Sequence, residues 1–154
     1  MIEPLSKAAI LARTSSKVYA RGEEYFVQGM VLSLVRRAQS LQARVEGSEG
    51  EPYRVSVQWQ SDGGVEANCS CPYMEEWDGW CKHVVAALLY YDEEQGDVPD
   101  EKTVGELLRP LKKEAIIGLF IRLVKYDPAL YEVAIELMSG RLPSRRPDFD
   151  EEWD

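Results

Sequence analysis

The chain has 154 residues, 45% of them hydrophobic and 10% aromatic, which is the size of one ordinary domain and enough for a hydrophobic core. No run of eighteen apolar residues occurs, and the start Met1-Ile2-Glu3-Pro4 lacks the basic region and apolar run of a secretory signal. We therefore expect one compact, soluble, cytoplasmic unit with no membrane segment. In a reducing compartment the three cysteines are expected to be metal ligands or free thiols rather than disulfides.

The net charge of -9 is unevenly distributed along the chain. Residues 1–68 contain 8 basic and 8 acidic side chains, whereas residues 69–154 contain 10 basic and 19 acidic ones. An acidic surface repels a polyanion such as DNA, so nucleic-acid binding by the chain alone would need a local basic face. A protein partner is the simpler expectation, and no small-molecule substrate is expected.

The first half of the chain changes from a helical to a strand period. Apolar residues at helical spacing run up to Gly29, which is placed to end a helix, and Thr14-Ser15-Ser16 predicts a break with a new N-cap. Alternating apolar and polar residues then predict four strands, joined by short connections that favour an antiparallel meander. These strands cover residues 30–37, 41–46, 53–59 and 65–69.

The outer face of this predicted sheet carries three arginines, Arg37, Arg44 and Arg54, with Glu46 and Glu66 among them. They are either ordinary solvated side chains or a functional basic face that contacts phosphate groups. Both interpretations stay open.

The second half of the chain is predicted to be helical. Val84–Tyr91 is apolar almost all round, as in a short helix buried on most sides, and an acidic linker follows from Asp92 to Glu101. Thr103 and Glu106 have the spacing of a capping box ahead of a long apolar stripe. This stripe consists of Leu107, Leu108, Leu111, Ala115, Ile116, Leu119, Phe120 and Leu123. Asp127-Pro128 begins another helix that stops near Gly140, so the chain is expected to close with a helical hairpin.

All three cysteines and the only histidine lie within fifteen positions, as Cys69-Ser70-Cys71, nine further residues, then Cys81-Lys82-His83. Zinc takes four nitrogen or sulfur ligands at tetrahedral corners, and a Cys3His set is one of its closed structural shells. Residues i and i+2 of an extended segment point to the same side, so Cys69 and Cys71 can share one metal.

The spacing of Cys81 and His83 also predicts where the following helix begins. Inside a helix, residues two apart lie on nearly opposite faces. We therefore expect Cys81 at the helix entry and His83 in its first turn. The positive end of the helix and Lys82 would then offset the negative charge of three thiolates on one divalent cation.

Several segments resemble bacterial, stand-alone members of the SWIM zinc finger family. They are Arg21-Gly22-Glu23-Glu24-Tyr25 to Gly29-Met30-Val31, Cys71-Pro72-Tyr73 and Cys81-Lys82-His83-Val84-Val85-Ala86-Ala87-Leu88-Leu89. The resemblance covers Ala20 to Tyr91 well and the hairpin behind it less specifically. It implies that Cys69, Cys71, Cys81 and His83 hold one structural zinc ion.

The resemblance also implies a class of function. SWIM modules occur beside helicase-type ATPases, transposases, ubiquitin ligases and recombination factors, where roles in DNA or protein binding are proposed. This chain has no Gly-x-x-x-x-Gly-Lys phosphate loop, so any ATPase must be a separate partner. We predict a noncatalytic zinc-binding interaction module that contacts protein, nucleic acid or both, with a role accessory to a DNA-processing ATPase as one option.

The predicted fold class is α+β. N-terminal helices precede a small antiparallel sheet, a zinc-bound Cys3His site opens a short buried helix, and a helical hairpin follows. We assign residues 1–95 to the SWIM-type domain, residues 96–140 to the hairpin, and residues 141–154 to a disordered acidic tail. In this tail Phe149 and Trp153 are either a docking peptide or inert.

Alternatives to a structural zinc site remain at this point. A shell of three thiolates can act as a redox switch that loses its metal on oxidation. A zinc hydrolase would need an open ligand position and a general base. The cysteines could also be apolar fillers, or Cys69 and Cys71 could form a disulfide. Trp77 and Trp80, between the ligand pairs, either stack on bases or shield the metal site.

Overall fold

The computed structural model describes residues 2–48, 50–76 and 79–141. The helices of this described part are α1 (Lys7–Leu11), α2 (Ser16–Val27), α3 (Tyr73–Glu76), α4 (Lys82–Glu94), α5 (Val104–Leu108), α6 (Lys113–Tyr126) and α7 (Ala129–Met138). Its strands are β1 (Val31–Arg37), β2 (Ser40–Val45), β3 (Tyr53–Trp59) and β4 (Val65–Cys69). The predicted α+β class is confirmed. Trp77 and the predicted tail from residue 142 onward, with Phe149 and Trp153, lie outside the described residues.

The chain divides into two compact units between Thr103 and Val104. The first unit contains α1 to α4 and the sheet, and the second contains α5 to α7. Among the described residues, no helix is long and apolar enough to cross a membrane.

The four strands form one antiparallel sheet in the order β1-β2-β3-β4, which is the predicted meander. Its inward rows are apolar because the strands alternate apolar and polar residues. In one row Leu34, Ala43, Val55 and Cys69 lie side by side, and all four are buried. The last residue of this row is a predicted metal ligand, so the sheet fixes its position.

Helix α4 covers the inward face of the sheet, and α2 packs closely against α4. Ser15 caps α2 by accepting a hydrogen bond from the Val18 N–H, as the predicted break implied. The close approach requires Gly22, because a Cβ at this position would lie 2.5 Å from Cβ of Val85 on α4. The predicted short buried helix is α4, in which residues 83–89 and Tyr91 are buried.

Two predicted boundaries were wrong. The acidic linker is not a free connection. Its first residues belong to α4, which continues to Glu94. Its last residues lie along β1, where the Arg36 N–H donates a hydrogen bond to the Pro99 carbonyl and the Glu101 N–H donates one to the Arg36 carbonyl. The long apolar stripe is two helices, α5 and α6. Pro110 lies in the connection between them, where its ring is incompatible with a helix interior.

Helices α6 and α7 contact each other as the predicted hairpin. The Asp127 carboxylate accepts a hydrogen bond from the Ala129 N–H at the start of α7, and Gly140 follows its end with φ of 78°. Among the described residues of the second unit, none is buried. This unit therefore has no enclosed core of its own.

Candidate metal centre

The first two candidate ligands stand at the end of β4. Cys69 is the last residue of the strand and pairs with Val55 on β3. Ser70 turns outward, where its N–H donates to the Arg54 carbonyl and its hydroxyl accepts from the Arg54 N–H. Because alternate residues of an extended segment face the same side, Cys71 returns to the interior beside Cys69.

The other two candidate ligands stand at the start of α4. Cys81 is the N-cap residue and His83 lies in the first turn, as predicted. The Cys81 N–H donates to the sulfur of Met74 on α3 at 3.3 Å, which connects the loop between the ligand pairs to the helix entry. The four side chains thus come from two rigid elements, the end of a strand and the beginning of a helix.

The structure brings all four predicted side chains together. One ligand atom from each of Cys69, Cys71, Cys81 and His83 lies within 4.8 Å of the others. The Nδ1 atom of His83 is 3.8 Å from the Cys69 sulfur and 3.7 Å from the Cys81 sulfur. Usual zinc bond lengths and a tetrahedral angle give a sulfur–nitrogen separation of about 3.6 Å. The donor set and its spacing therefore fit a tetrahedral metal ion, with Nδ1 as the histidine donor.

The candidate centre is closed to solvent. The exposed fraction is 3% for Cys69 and Cys71, 1% for Cys81 and 4% for His83. All three cysteines are free thiols, so the alternative of a Cys69–Cys71 disulfide was wrong. Simple apolar filling is also a poor account of the group, because four donor atoms that converge on one point match a ligand shell.

The three thiols compete for protons. The pKa of Cys69 is raised far above its usual range, first by its hydrogen bond with Cys71. Hydrogen bonds from Cys69 and Cys81 hold the pKa of Cys71 well below its usual range. The pKa of Cys81 rises to about 11, since the hydrogen bond with Cys69 lowers it but the bond with Cys71 and burial raise it more. The hydrogen bonds between Cys69 and Cys71 therefore move the pKa values of these two thiols in opposite directions.

Two tyrosines enclose the imidazole of His83. The ring of Tyr53 on β3 is 4.7 Å from the imidazole centroid, and that of Tyr25 on α2 is 5.6 Å away in an edge-on arrangement. The Lys82 ammonium lies 4.5 Å above the Tyr25 ring. The Nε2 atom of His83 is buried and, among the described residues, has no hydrogen-bond partner. The two tyrosine rings therefore hold the imidazole in place, and its Nδ1 atom faces the thiols.

Trp80, immediately before Cys81, joins the ligand loop to the N-terminal helices. Its backbone N–H donates a hydrogen bond to the Arg13 carbonyl, and its backbone carbonyl accepts one from the Thr14 hydroxyl at 2.7 Å. The Arg13 guanidinium lies 5.0 Å from the centre of the Trp80 ring. With 8% of its surface exposed, Trp80 belongs to the hydrophobic core and offers little surface on which a base could stack. The sequence did not decide whether Trp80 is buried or available for stacking, and it did not indicate that Arg13 and Thr14 contact this residue.

The three predicted arginines of the outer sheet face divide into two groups. Arg44 and Arg54 are exposed and directly opposite each other on β2 and β3. Arg37 instead forms an ion pair with Glu101 at 2.8 Å. The neighbouring Arg36, which sequence analysis did not consider, forms a second ion pair with Asp100 and donates to the Tyr91 hydroxyl. On this face Arg37 is neutralised by its ion pair, so the basic charge that stays available is that of Arg44 and Arg54.

Comparison with known proteins gives one match. The family model of the SWIM zinc finger matches residues 53–92, which span β3, β4, the ligand loop and most of α4, with all four candidate ligands inside. Neither the search of curated proteins nor that of solved structures returned a match. The residues of α2 that resemble the family lie outside the matched segment. The similarity to the SWIM zinc finger therefore covers 40 of the 154 residues and includes the whole candidate metal centre.

Proposed function

We propose that Cys69, Cys71, Cys81 and His83 bind one structural zinc ion, and that the folded module serves as a noncatalytic interaction domain. The observation that carries the proposal is the convergence of four buried donors within 4.8 Å of one another. A divalent cation relieves the proton competition of the thiols, because it binds all three as thiolates. The donor set of sulfur and imidazole nitrogen favours zinc over magnesium or calcium, which prefer oxygen ligands.

Several features support a structural rather than a catalytic ion. A zinc hydrolase keeps a coordination position for water, whereas here four protein donors fill the shell and are buried. His83 is the only histidine of the chain, so no second imidazole is available as a general base. The same burial gives a redox switch less support, since an oxidant must reach the thiols before it can eject the metal.

A protein partner is the best-supported class of partner. The excess of acidic residues opposes nucleic acid, and a single exposed arginine pair is a small basic surface. An affinity pull-down of the intact protein, with and without nuclease, tests the class. Partners retained after nuclease treatment support the proposal, and their complete loss would show that nucleic acid carries the interaction. A DNA-processing ATPase among the retained proteins would match the role expected from the family.

The metal assignment is tested by elemental analysis of purified protein. We expect one zinc ion per chain, and we expect His83→Ala and Cys81→Ser to lower zinc content and thermal stability together, because the binding energy of a structural zinc contributes to folding. Lys17→Ala, at an exposed position of α2, is the control and should retain the metal. Full zinc content in His83→Ala would contradict the assignment.

A further inference from the structure

The N-terminal helices form the basic part of an acidic chain. Residues 4–22 contain four basic side chains and no acidic one, although the net charge of the chain is -9. Three of the four, Arg13, Lys17 and Arg21, lie just before α2 or on it. A concentration of one sign of charge attracts the opposite sign. This part of the first unit is therefore suited to an anionic partner.

Lys17 and Arg21 line up with Tyr25 along one side of α2. The three positions are four residues apart, so each side chain follows the previous one after about one turn. The Lys82 ammonium lies 4.5 Å from the centre of the Tyr25 ring, and a Cβ at Gly22 would lie 3.0 Å from the Lys82 carbonyl oxygen. The start of α4 thus adds a third cation to the line. We call Lys17, Arg21 and Lys82 the basic row.

The charges of the basic row are not neutralised within the described part of the chain, where no acid forms an ion pair with them. Lys17 and Arg21 are exposed, and like charges four residues apart on a helix repel each other. Glu24 lies three residues after Arg21, but its carboxylate accepts a hydrogen bond from Gln28. An external anion would relieve the repulsion along the row.

The basic row borders the candidate metal centre. Lys82 stands between the candidate ligands Cys81 and His83 in the chain, at the start of α4. The Tyr25 ring, which lies beside Lys82, also contacts the His83 imidazole edge-on at 5.6 Å. A partner held by the row therefore lies against the part of α4 that carries two of the four ligands.

The spacing of the row fits an extended acidic segment. Four residues of a helix rise by about 6 Å, and alternate side chains of an extended peptide are about 6.7 Å apart. Acidic residues at every second position therefore meet successive positions of the row. Duplex DNA fits less well, because it is larger than the row and would also meet Glu23 and Glu24 on the same helix, in a chain whose net charge is -9.

We propose that the basic row docks an acidic segment of a partner protein, which binds as an extended chain along α2 beside the metal centre. This inference rests on the proposed function, because it gives the interaction domain a surface and its partner a chemistry. Carboxylates of the segment accept hydrogen bonds from Lys17, Arg21 and Lys82, and the guanidinium can bind a carboxylate through two of them. Exposed charge pairs are individually weak, so the row selects a segment with several acids.

Fluorescence anisotropy with the zinc-loaded, full-length protein tests the site. The probe is a fluorescein-labelled peptide of alternating glutamate and serine, and the same peptide with glutamine in place of glutamate is the uncharged comparison. We expect only the glutamate peptide to bind, and we expect Lys17→Ala with Arg21→Ala, the row variant, to raise its dissociation constant about fivefold or more. The matched control is Arg44→Ala with Arg54→Ala, which removes the same charge from the outer face of the sheet. A general effect of net charge would weaken both variants equally, and that result would contradict the site.

Further measurements separate this site from the rest of the proposed function. Glu24→Gln removes the acid nearest to the row on α2 and should tighten the peptide complex. The row variant changes exposed side chains, so its zinc content and melting temperature should match those of the wild type. Protein partners that survive nuclease treatment and are retained equally by the row variant would leave the interaction domain intact and refute the row. A wild-type protein that does not bind the glutamate peptide would overturn the proposal. So would a short DNA duplex that binds more tightly than the peptide and is lost in the row variant.

Discussion

Replacement of Gly22 by alanine tests whether the close approach of α2 and α4 is needed for the metal centre. An added Cβ would lie 2.5 Å from both Cβ and Cγ1 of Val85 and 3.0 Å from the Lys82 carbonyl oxygen. Carbon atoms pack at about 3.5 to 4.0 Å, so the helices would have to separate by about 1 Å. The Val85 Cβ is fixed to the backbone, so a change of rotamer cannot relieve this contact.

The magnitude follows from two opposing effects. Alanine in place of glycine inside a helix stabilises by about 1 kcal/mol, whereas overpacking a core costs about 1 to 3 kcal/mol. Because the clash involves an atom that cannot rotate away, we expect the upper part of this range, and thus a net loss of about 2 kcal/mol. For a unit of about 100 residues this lowers the melting temperature by roughly 10 °C. Zinc affinity should fall as well, since α4 carries Cys81 and His83 at its start.

Thermal unfolding and competitive zinc titration measure the two effects. Gly118→Ala is the matched control, because Gly118 also lies in a helix but a Cβ there meets no atom within 4 Å, so this variant should gain stability. In a Val85→Gly background, which removes both clashing carbons, Gly22→Ala should no longer be harmful. The reasoning is refuted if Gly22→Ala is as stable as the wild type, or if its cost is the same in both backgrounds.

Three further predictions concern the thiols, one turn and the arginine pair. Zinc affinity should rise with pH near neutrality, because the raised pKa values of Cys69 and Cys81 keep protons on two thiols that the metal must displace. Calorimetry in buffers of different ionisation enthalpy should give about two protons released per zinc, and a value near zero would contradict this. Ala38 lies in the β1–β2 turn with φ of 50°, a left-handed conformation that is unfavourable for a residue with a side chain. Ala38→Gly should therefore raise the free energy of unfolding, measured in urea, by about 1 kcal/mol. A lower free energy of unfolding would contradict this strain. If the protein contacts DNA, the double variant Arg44→Ala, Arg54→Ala should bind DNA more weakly, and the slope of log affinity against log salt concentration should fall by about two. Arg37→Ala should change little, because Arg37 is paired with Glu101. An unchanged slope in the double variant would mean that both arginines are ordinary solvated side chains.

The features that could be predicted from the sequence are local. The period of two along β2 and β3, the cap at Ser15 and the turn at Gly29 each depend on neighbours in the chain, and each gave the correct element. The position of Cys81 and His83 at the start of α4 also followed, because the two-residue spacing is incompatible with one face of a helix interior. Pro110 could have divided α5 from α6 as well, since its ring interrupts a helix.

The features that could not be predicted depend on contacts between distant parts of the chain. The Thr14 hydroxyl donates to the Trp80 carbonyl across 66 positions. Arg36 and Arg37 look alike in the sequence, yet they bind Asp100 and Glu101 respectively, and Arg36 also reaches Tyr91. No periodic pattern encodes such pairings, because they depend on which loop the fold brings alongside β1.

The metal centre lies at the edge of a core that extends beyond it, and this affects what the ion stabilises. Val45, Val57 and Leu88 are fully buried among other apolar side chains, so the sheet and α4 have a hydrophobic reason to associate that does not involve the ligands. The ligands themselves join the end of β4 to the start of α4, and the described contacts of the loop between them include the Met74 sulfur and the hydrogen bonds of Trp80. A bound ion would therefore contribute most where its ligands lie, at the end of β4 and the start of α4. We expect any partner surface formed by these two ends to depend on the metal.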